Sequence, residues 1–290
     1  MPRNRRVAIL EGACAGVFFG TASILIRLLP ALSVFSIALG RLIVASVALA
    51  VLIVVLRMPL KLDVLRPSLG RILLLGFLLG SHFILFISSV RDTSILNATV
   101  LVNTAPILAM AVSALVFKVR PSRTALVGSA VSLVGIAMIV YGDASEPLSL
   151  SFRGDLEAVL AALAEAFYLN YGRELRRRFS PIATMPLLYL VATVPVVCAS
   201  FLLNTTLALP IGPEAALILI GLGIVPTALA HTLYFSSLSD LRSFETATLA
   251  LLEPIGATLL GIVLFLEIPG TYFLVGASIV LAGVFLVLRE

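Results

Sequence analysis

The sequence predicts an all-α polytopic membrane protein, its ten transmembrane helices arranged as two inverted five-helix repeats. Three observations predict it. The 290 residues are 60% apolar and only 12% charged, against about 45–50% and about 25% in soluble domains. The apolar runs reach the roughly 20 residues needed to cross a hydrocarbon core about 30 Å thick. Prolines, glycines and an aspartate recur at one fixed offset between the two halves.

Breaks at charge, proline or glycine set the spans near 8-29, 33-56, 70-90, 95-117, 122-142, 154-172, 182-204, 213-237, 244-266 and 270-288. The first follows MPRNRR, which resembles a signal-peptide start. Its apolar run is of spanning length, however, and Cys14-Ala15-Gly16 sits too early for cleavage, so it reads as a helix that stays. The second holds Arg41 and stops at Arg57; the third runs between Arg71 and Arg91. Pro106 interrupts the fourth, and Pro121 precedes the fifth. The sixth is the least apolar, because it holds Asp155, Glu157 and Glu165. The seventh contains Pro186 and Pro195, the eighth Pro226 and the ninth Pro254. Gly276 and Gly283 mark the tenth.

Charge decides whether the sixth run crosses. With ten spans, 16 of the 20 basic residues share one side, from Arg3, Arg5 and Arg6 through Arg173, Arg176, Arg177 and Arg178 to Arg242 and Arg289. The other side has Arg27, Arg91 and Arg153. The positive-inside rule then puts both termini in the cytoplasm of a cell (inner) membrane. The net charge of +5 is thereby an orientation signal, with no nucleic acid as partner. Cys14 and Cys198 fall in apolar runs, where they read as packing residues.

At an offset of 148, Pro106 meets Pro254, Pro121 meets Pro269, Gly128 meets Gly276 and Gly135 meets Gly283. Asp92 meets Asp240, and Ser88, Ser89 and Phe117 meet Ser236, Ser237 and Phe265. Residues 1-147 are thus expected to form one five-helix repeat and 148-290 a second, within one membrane domain. Five is odd, so the second copy enters from the opposite side. Inverted repeats with a solute site near midplane are a common plan of secondary transporters.

The stretch LALLEPIGATLLGIVLFLEIPGTYFLVGASIVLAGVFLVL (249–288) resembles the drug/metabolite transporter superfamily, EamA type, through Glu253, Pro254, Glu267, Gly276 and Gly283. NTAPILAMAVSALVFKVRPSRTALVGSAVSLVGIAMIV in the first half keeps the pattern, and ALGRLIVASVALA around Arg41 is similar to the family's second-helix arginine motif. The first half departs at Lys118-Val119, where Gly-Glu is usual, and at Ala105, which stands opposite Glu253. The resemblance implies a ten-helix carrier. Length and loop pattern are similar to those of bacterial exporters of aromatic and other neutral amino acids.

Ionisable groups at bilayer depth cost at least about 2.5–3.5 kcal/mol on insertion scales, so each needs a partner, water or a role. A rise of 1.5 Å per residue puts Glu253, Glu165 and His82 near midplane, with Arg41 able to reach a carboxylate there. Glu253 either supports the Pro254 break or meets solute and protons. Glu165 shares a helix face with Tyr168 and either lines a cavity or pairs with Arg41. His82, on a face with Phe86, is either hydrogen-bonded to a neighbouring helix or in contact with solute. Tyr234 and His231 fall near the cytoplasmic end, where an aromatic belt also accounts for them. Asn103 and Asn170 read as glue between helices or as cavity residues. Pro106 and Pro254, placed symmetrically, are candidates for broken, gating helices around a cavity.

No G-x-x-x-x-G-K-[ST] loop, H-E-x-x-H motif or Cys/His cluster is present, so ATP hydrolysis, metal catalysis and cofactor chemistry have no home. The expected protein is no enzyme. Its partners are the lipid bilayer, a small-molecule substrate and protons. The alternatives are an exporter of lipophilic cations and a channel.

Overall fold

The computed structural model describes residues 4–58, 66–142, 151–210, 212–265 and 270–289. Among the described residues every regular element is helical. In order these are α1 (Arg5–Phe19), α2 (Ala22–Arg27), α3 (Val34–Val55), a 3-10 turn (Arg66–Ser68), α4 (Leu69–Asp92), α5 (Ile95–Val102), α6 (Ala105–Leu115) and α7 (Arg123–Gly142). Then come α8 (Phe152–Arg178), α9 (Pro181–Leu202), α10 (Pro213–Leu222), a π-helical stretch (Gly223–His231), α11 (Thr232–Ser237), α12 (Ser243–Ala250), α13 (Glu253–Phe265) and α14 (Thr271–Leu288). Serine hydroxyls open three of them by accepting a backbone N–H of the first turn: Ser33 from Ser36, Ser94 from Asn97 and Ser151 from Gly154.

Among the described residues eight helical stretches are long and apolar enough to cross a membrane. They turn large apolar side chains outward, such as Val47, Val51 and Val54 on α3 and Leu190, Val194 and Phe201 on α9, which suits hydrocarbon and not water. Two expected spans are absent from the eight. The sixth falls on α8, which carries Asp155, Glu157, Glu165 and the arginines of its last turns, and the ninth falls on α12 and α13, whose continuation runs into residues outside those described. Cys14 and Cys198, expected to pack inside, lie on outward faces as free thiols.

At both expected proline breaks a hydrogen-bonded two-residue turn joins two half-helices. Asn103 and Thr104 separate α5 from α6, and Leu251 and Leu252 separate α12 from α13. Pro106 and Pro254 each take the second position of the new helix, where a residue without an N–H loses no helical hydrogen bond. The starts of α5, α6 and α7 recur 148 residues later as those of α12, α13 and α14.

Glycines set the closest contacts. α7 and α14 run antiparallel, with Gly128 against Gly283 and Gly135 against Gly276. A Cβ added at Gly135 would lie 2.7 Å from the Gly276 carbonyl oxygen, and one at Gly276 would lie 2.7 Å from that of Gly135. Between the two crossings the Ser132 hydroxyl donates to the Val280 carbonyl at 3.3 Å, a pair 148 residues apart. α1 packs on the second break in the same manner. A Cβ at Gly16 would collide with the Leu249 carbonyl, and one at Gly256 with the Val17 carbonyl.

Polar contacts gather at the two ends of the bundle. At one end Arg5 pairs with Glu245 at 2.7 Å and donates to the Leu288 carbonyl at 3.0 Å. There too Arg173 donates to the Leu241 carbonyl and Arg71 pairs with Glu174. At the other end Arg91 donates to the Leu29 carbonyl, Arg153 pairs with Asp92 and Glu157, and Ser36 accepts from the Ala208 N–H.

Candidate functional site

A cavity of about 40 Å³ lies between the two breaks, lined from α1, α3, α4, the α5–α6 break, α8, the π-helical stretch, α12 and Glu253. A water needs roughly 10–15 Å³ measured this way, so the space holds a few waters, less than a solute the size of an amino acid. Its polar groups divide into an acidic and a basic side.

Glu165, nine-tenths buried on α8, accepts a 2.6 Å hydrogen bond from the Tyr234 hydroxyl through Oε1. Its Oε2 lies 3.9 Å from Nδ1 of His82. That nitrogen also meets the Ala161 carbonyl at 3.0 Å. A carbonyl only accepts, so Nδ1 carries the hydrogen, and His82 is tied to a neighbouring helix while it lines the cavity. Glu253 begins α13, with the Asn103 amide in hydrogen-bond reach of its carboxyl; Asn103 also donates to the Thr99 carbonyl at 2.8 Å. The two helix breaks thus face each other through an amide and an acid.

The basic side is built on the π-helical stretch. Thr227, one residue after Pro226, donates its hydroxyl to the Leu222 carbonyl at 2.6 Å, and its own carbonyl accepts from the Tyr189 hydroxyl at 2.7 Å. Its Oγ1 accepts from Nε of Arg41 at 2.8 Å. The Arg41 guanidinium carbon sits 4.0 Å above the centre of the Phe83 ring, a cation–π contact. The wide turns of a π-helix often mark functional positions; here they bring Thr227 to the arginine and His231 to the cavity wall.

Several sequence expectations are revised by this geometry. Arg41 has no carboxylate partner within ion-pair distance among the described residues; of the two readings of Glu165 the pair with Arg41 gives way, and Thr227 and Phe83 hold the guanidinium. Tyr168 is buried against Phe235, with its hydroxyl 3.6 Å from Met185 Sδ, and does not line the cavity. Tyr234 is fully buried on Glu165 and does not itself line the cavity, so neither the interfacial-belt reading nor the expected cavity-lining role holds for it. Phe86, Asn103, His82, Glu165, Glu253, Arg41 and Pro106 all line the cavity. Pro254 stands behind Glu253 in the first turn of α13. Asn170 is glue: its side chain meets Ser113, Ser243 and the Ala109 carbonyl. Glu267 and Pro269 lie outside the described residues.

The wall residues overlooked in the sequence include Phe19, Phe83 and, as a central group, His231. A signal existed, because the offset that pairs Phe86 with Tyr234 also pairs Phe83 with His231.

A membrane-crossing helical bundle with a small cavity between paired half-helices is a plan met in secondary transporters. The chain belongs to the EamA-like transporter family, whose model matches residues 6–141 and 152–289. It is 29% identical to the uncharacterized transporter YdfC of Bacillus subtilis (strain 168), over 85% of this chain and 79% of that one. It is 23% identical to the uncharacterized transporter YwfM of the same organism, over 94% and 90%. A solved crystal structure superposes with a TM-score of 0.81 over 98% of this chain and 96% of that one, at 18% identity, which shows the fold alone.

Proposed function

We propose that the protein is a secondary transporter that moves a small amphipathic metabolite across the cell (inner) membrane by alternating access, exporting neutral and aromatic amino acids. The observation that carries this reading is the cavity. One arginine, two acids and several rings meet between two broken helices, a set suited to a zwitterion with an apolar side chain and poorly suited to a sugar or phosphate. The cavity is too small for such a solute as it stands, so entry requires the walls to part toward one end at a time. Proteoliposome flux with labelled threonine, phenylalanine and a quaternary ammonium dye tests the reading. Transport of the amino acids is the expected result, and transport of the dye alone reverses it in favour of a lipophilic-cation exporter. Steady open-pore current in single-channel recording would make the protein a channel.

The architecture proposed with it is ten spans in two inverted repeats, residues 1-147 and 148-290, with both termini cytoplasmic. Three things support it: the common offset of the half-helix starts, the family match falling in two copies, and the meeting of Arg5 with the Leu288 carbonyl. A cysteine placed at Ala208 should be labelled from outside. Labelling of that position only from the cytoplasm would contradict the ten-span arrangement.

A further inference from the structure

We propose that Arg41 and His231 form a subsite for the carboxylate of the transported solute, which fixes the solute's orientation in the cavity. The proposal rests on the transporter reading above and adds to it which end of the molecule goes where. Arg41 is 1% exposed and His231 6%. Each keeps one buried nitrogen, Nη1 of Arg41 and Nδ1 of His231, without a hydrogen-bond partner. Both side chains line the cavity. Both rest on the same ring: the Arg41 guanidinium lies over the face of Phe83, and the His231 ring centre is 4.9 Å from that of Phe83 at 85°.

A buried guanidinium nitrogen without an acceptor loses its hydration and gains nothing in return. Such a group in a native protein calls for an explanation, of which an absent ligand is one. The acids of the cavity do not supply the acceptor. Glu165 is held by Tyr234 and His82, and Glu253 faces Asn103. What is missing beside Phe83 is an acceptor, and a carboxylate offers two oxygens, each able to take a charge-assisted hydrogen bond. The solute's ammonium then falls to the Glu165 and Glu253 side, and its apolar part to Phe19 and Phe86.

The test is equilibrium binding of three labelled probes to the purified protein in lipid nanodiscs: L-phenylalanine, phenethylamine, which lacks the carboxylate, and 3-phenylpropionate, which lacks the amine. Arg41→Gln should weaken phenylalanine and 3-phenylpropionate by about ten- to a hundredfold, the worth of a charged hydrogen bond, and leave phenethylamine within about twofold. His231→Phe, which copies the ring at the offset position Phe83, should show the same pattern more weakly. It decides the matter alone if Arg41→Gln is not recovered folded. Equal loss of all three probes in both variants would assign Arg41 and His231 to packing and overturn the subsite. Unchanged binding of phenylalanine in both variants would overturn it too. A wild type that binds phenethylamine as tightly as phenylalanine and ignores 3-phenylpropionate sinks the subsite but spares transport of a cation. Absence of binding by all three removes the subsite and the amino-acid reading together.

Discussion

If Glu253 carries the proton in transport, replacing it by glutamine should abolish the pH dependence of solute flux while some facilitated flux remains. Glu253 starts α13 at the edge of the cavity, and its chemical neighbour across the breaks is the Asn103 amide. Glutamine keeps the length, the volume and the ability to accept from that amide, but cannot exchange a proton. An effect on pH dependence is therefore separated from an effect on the break itself. The offset position in the first half is Ala105, so no second carboxyl at the opposite break can take over. Flux against external pH, measured at matched protein level for wild type and Glu253→Gln, decides it. Parallel curves eliminate Glu253 as a proton carrier and leave passive facilitation, or coupling through Glu165 or His82. Loss of folded protein is not expected, since Arg41 is held by Thr227 and Phe83 and loses no partner in this variant.

Valine at Gly276 should prevent stable assembly. Even alanine there would place a Cβ 2.7 Å from the Gly135 carbonyl oxygen and 3.0 Å from the Ile139 nitrogen. Backbone atoms in a helix cannot step aside as a long side chain can, so α7 and α14 must separate along their length. Forcing a methyl group into a closely packed site costs about 1–3 kcal/mol, and valine adds two more carbons at the same place. Gly276→Ala should lower the thermal midpoint in detergent, and Gly276→Val should run aggregated or fail to accumulate. Gly70→Ala is the control: a Cβ there meets nothing within 4 Å, and its midpoint should match wild type. A Gly276→Val protein with the wild-type midpoint would show that the α7–α14 contact does not hold the bundle together.

What could be read from the sequence follows from what a bilayer demands. Spanning length and apolar composition mark most helices, and the repeated prolines locate both breaks to within a residue of where α6 and α13 begin. Depth along a helix brought Glu165, Glu253 and His82 into one layer, because rise per residue is fixed. Azimuth was harder to read. Tyr168 sits three residues after Glu165 on the same helix, yet that step of about 300° turns it toward Met185. The π-helical stretch was not legible at all. Pro226 signals a disturbance but not its form, and the wider turns change where Thr227, His231 and Tyr234 point. Arg41 was seen as a cation in search of an acid, whereas a hydroxyl and a ring face hold it.

The polar clusters at the two ends of the bundle differ in how firmly they close it. Glu245 is 1% exposed, and its second oxygen accepts from the Arg242 backbone N–H. Parting it from Arg5 leaves a charge stranded away from water, a costly event. Arg153, at the opposite end, is 78% exposed, and water replaces its partners at little cost. The two ends of the bundle are thus held by contacts of unequal strength. Under the proposed alternating access, the end held by Arg153 is the easier of the two to part.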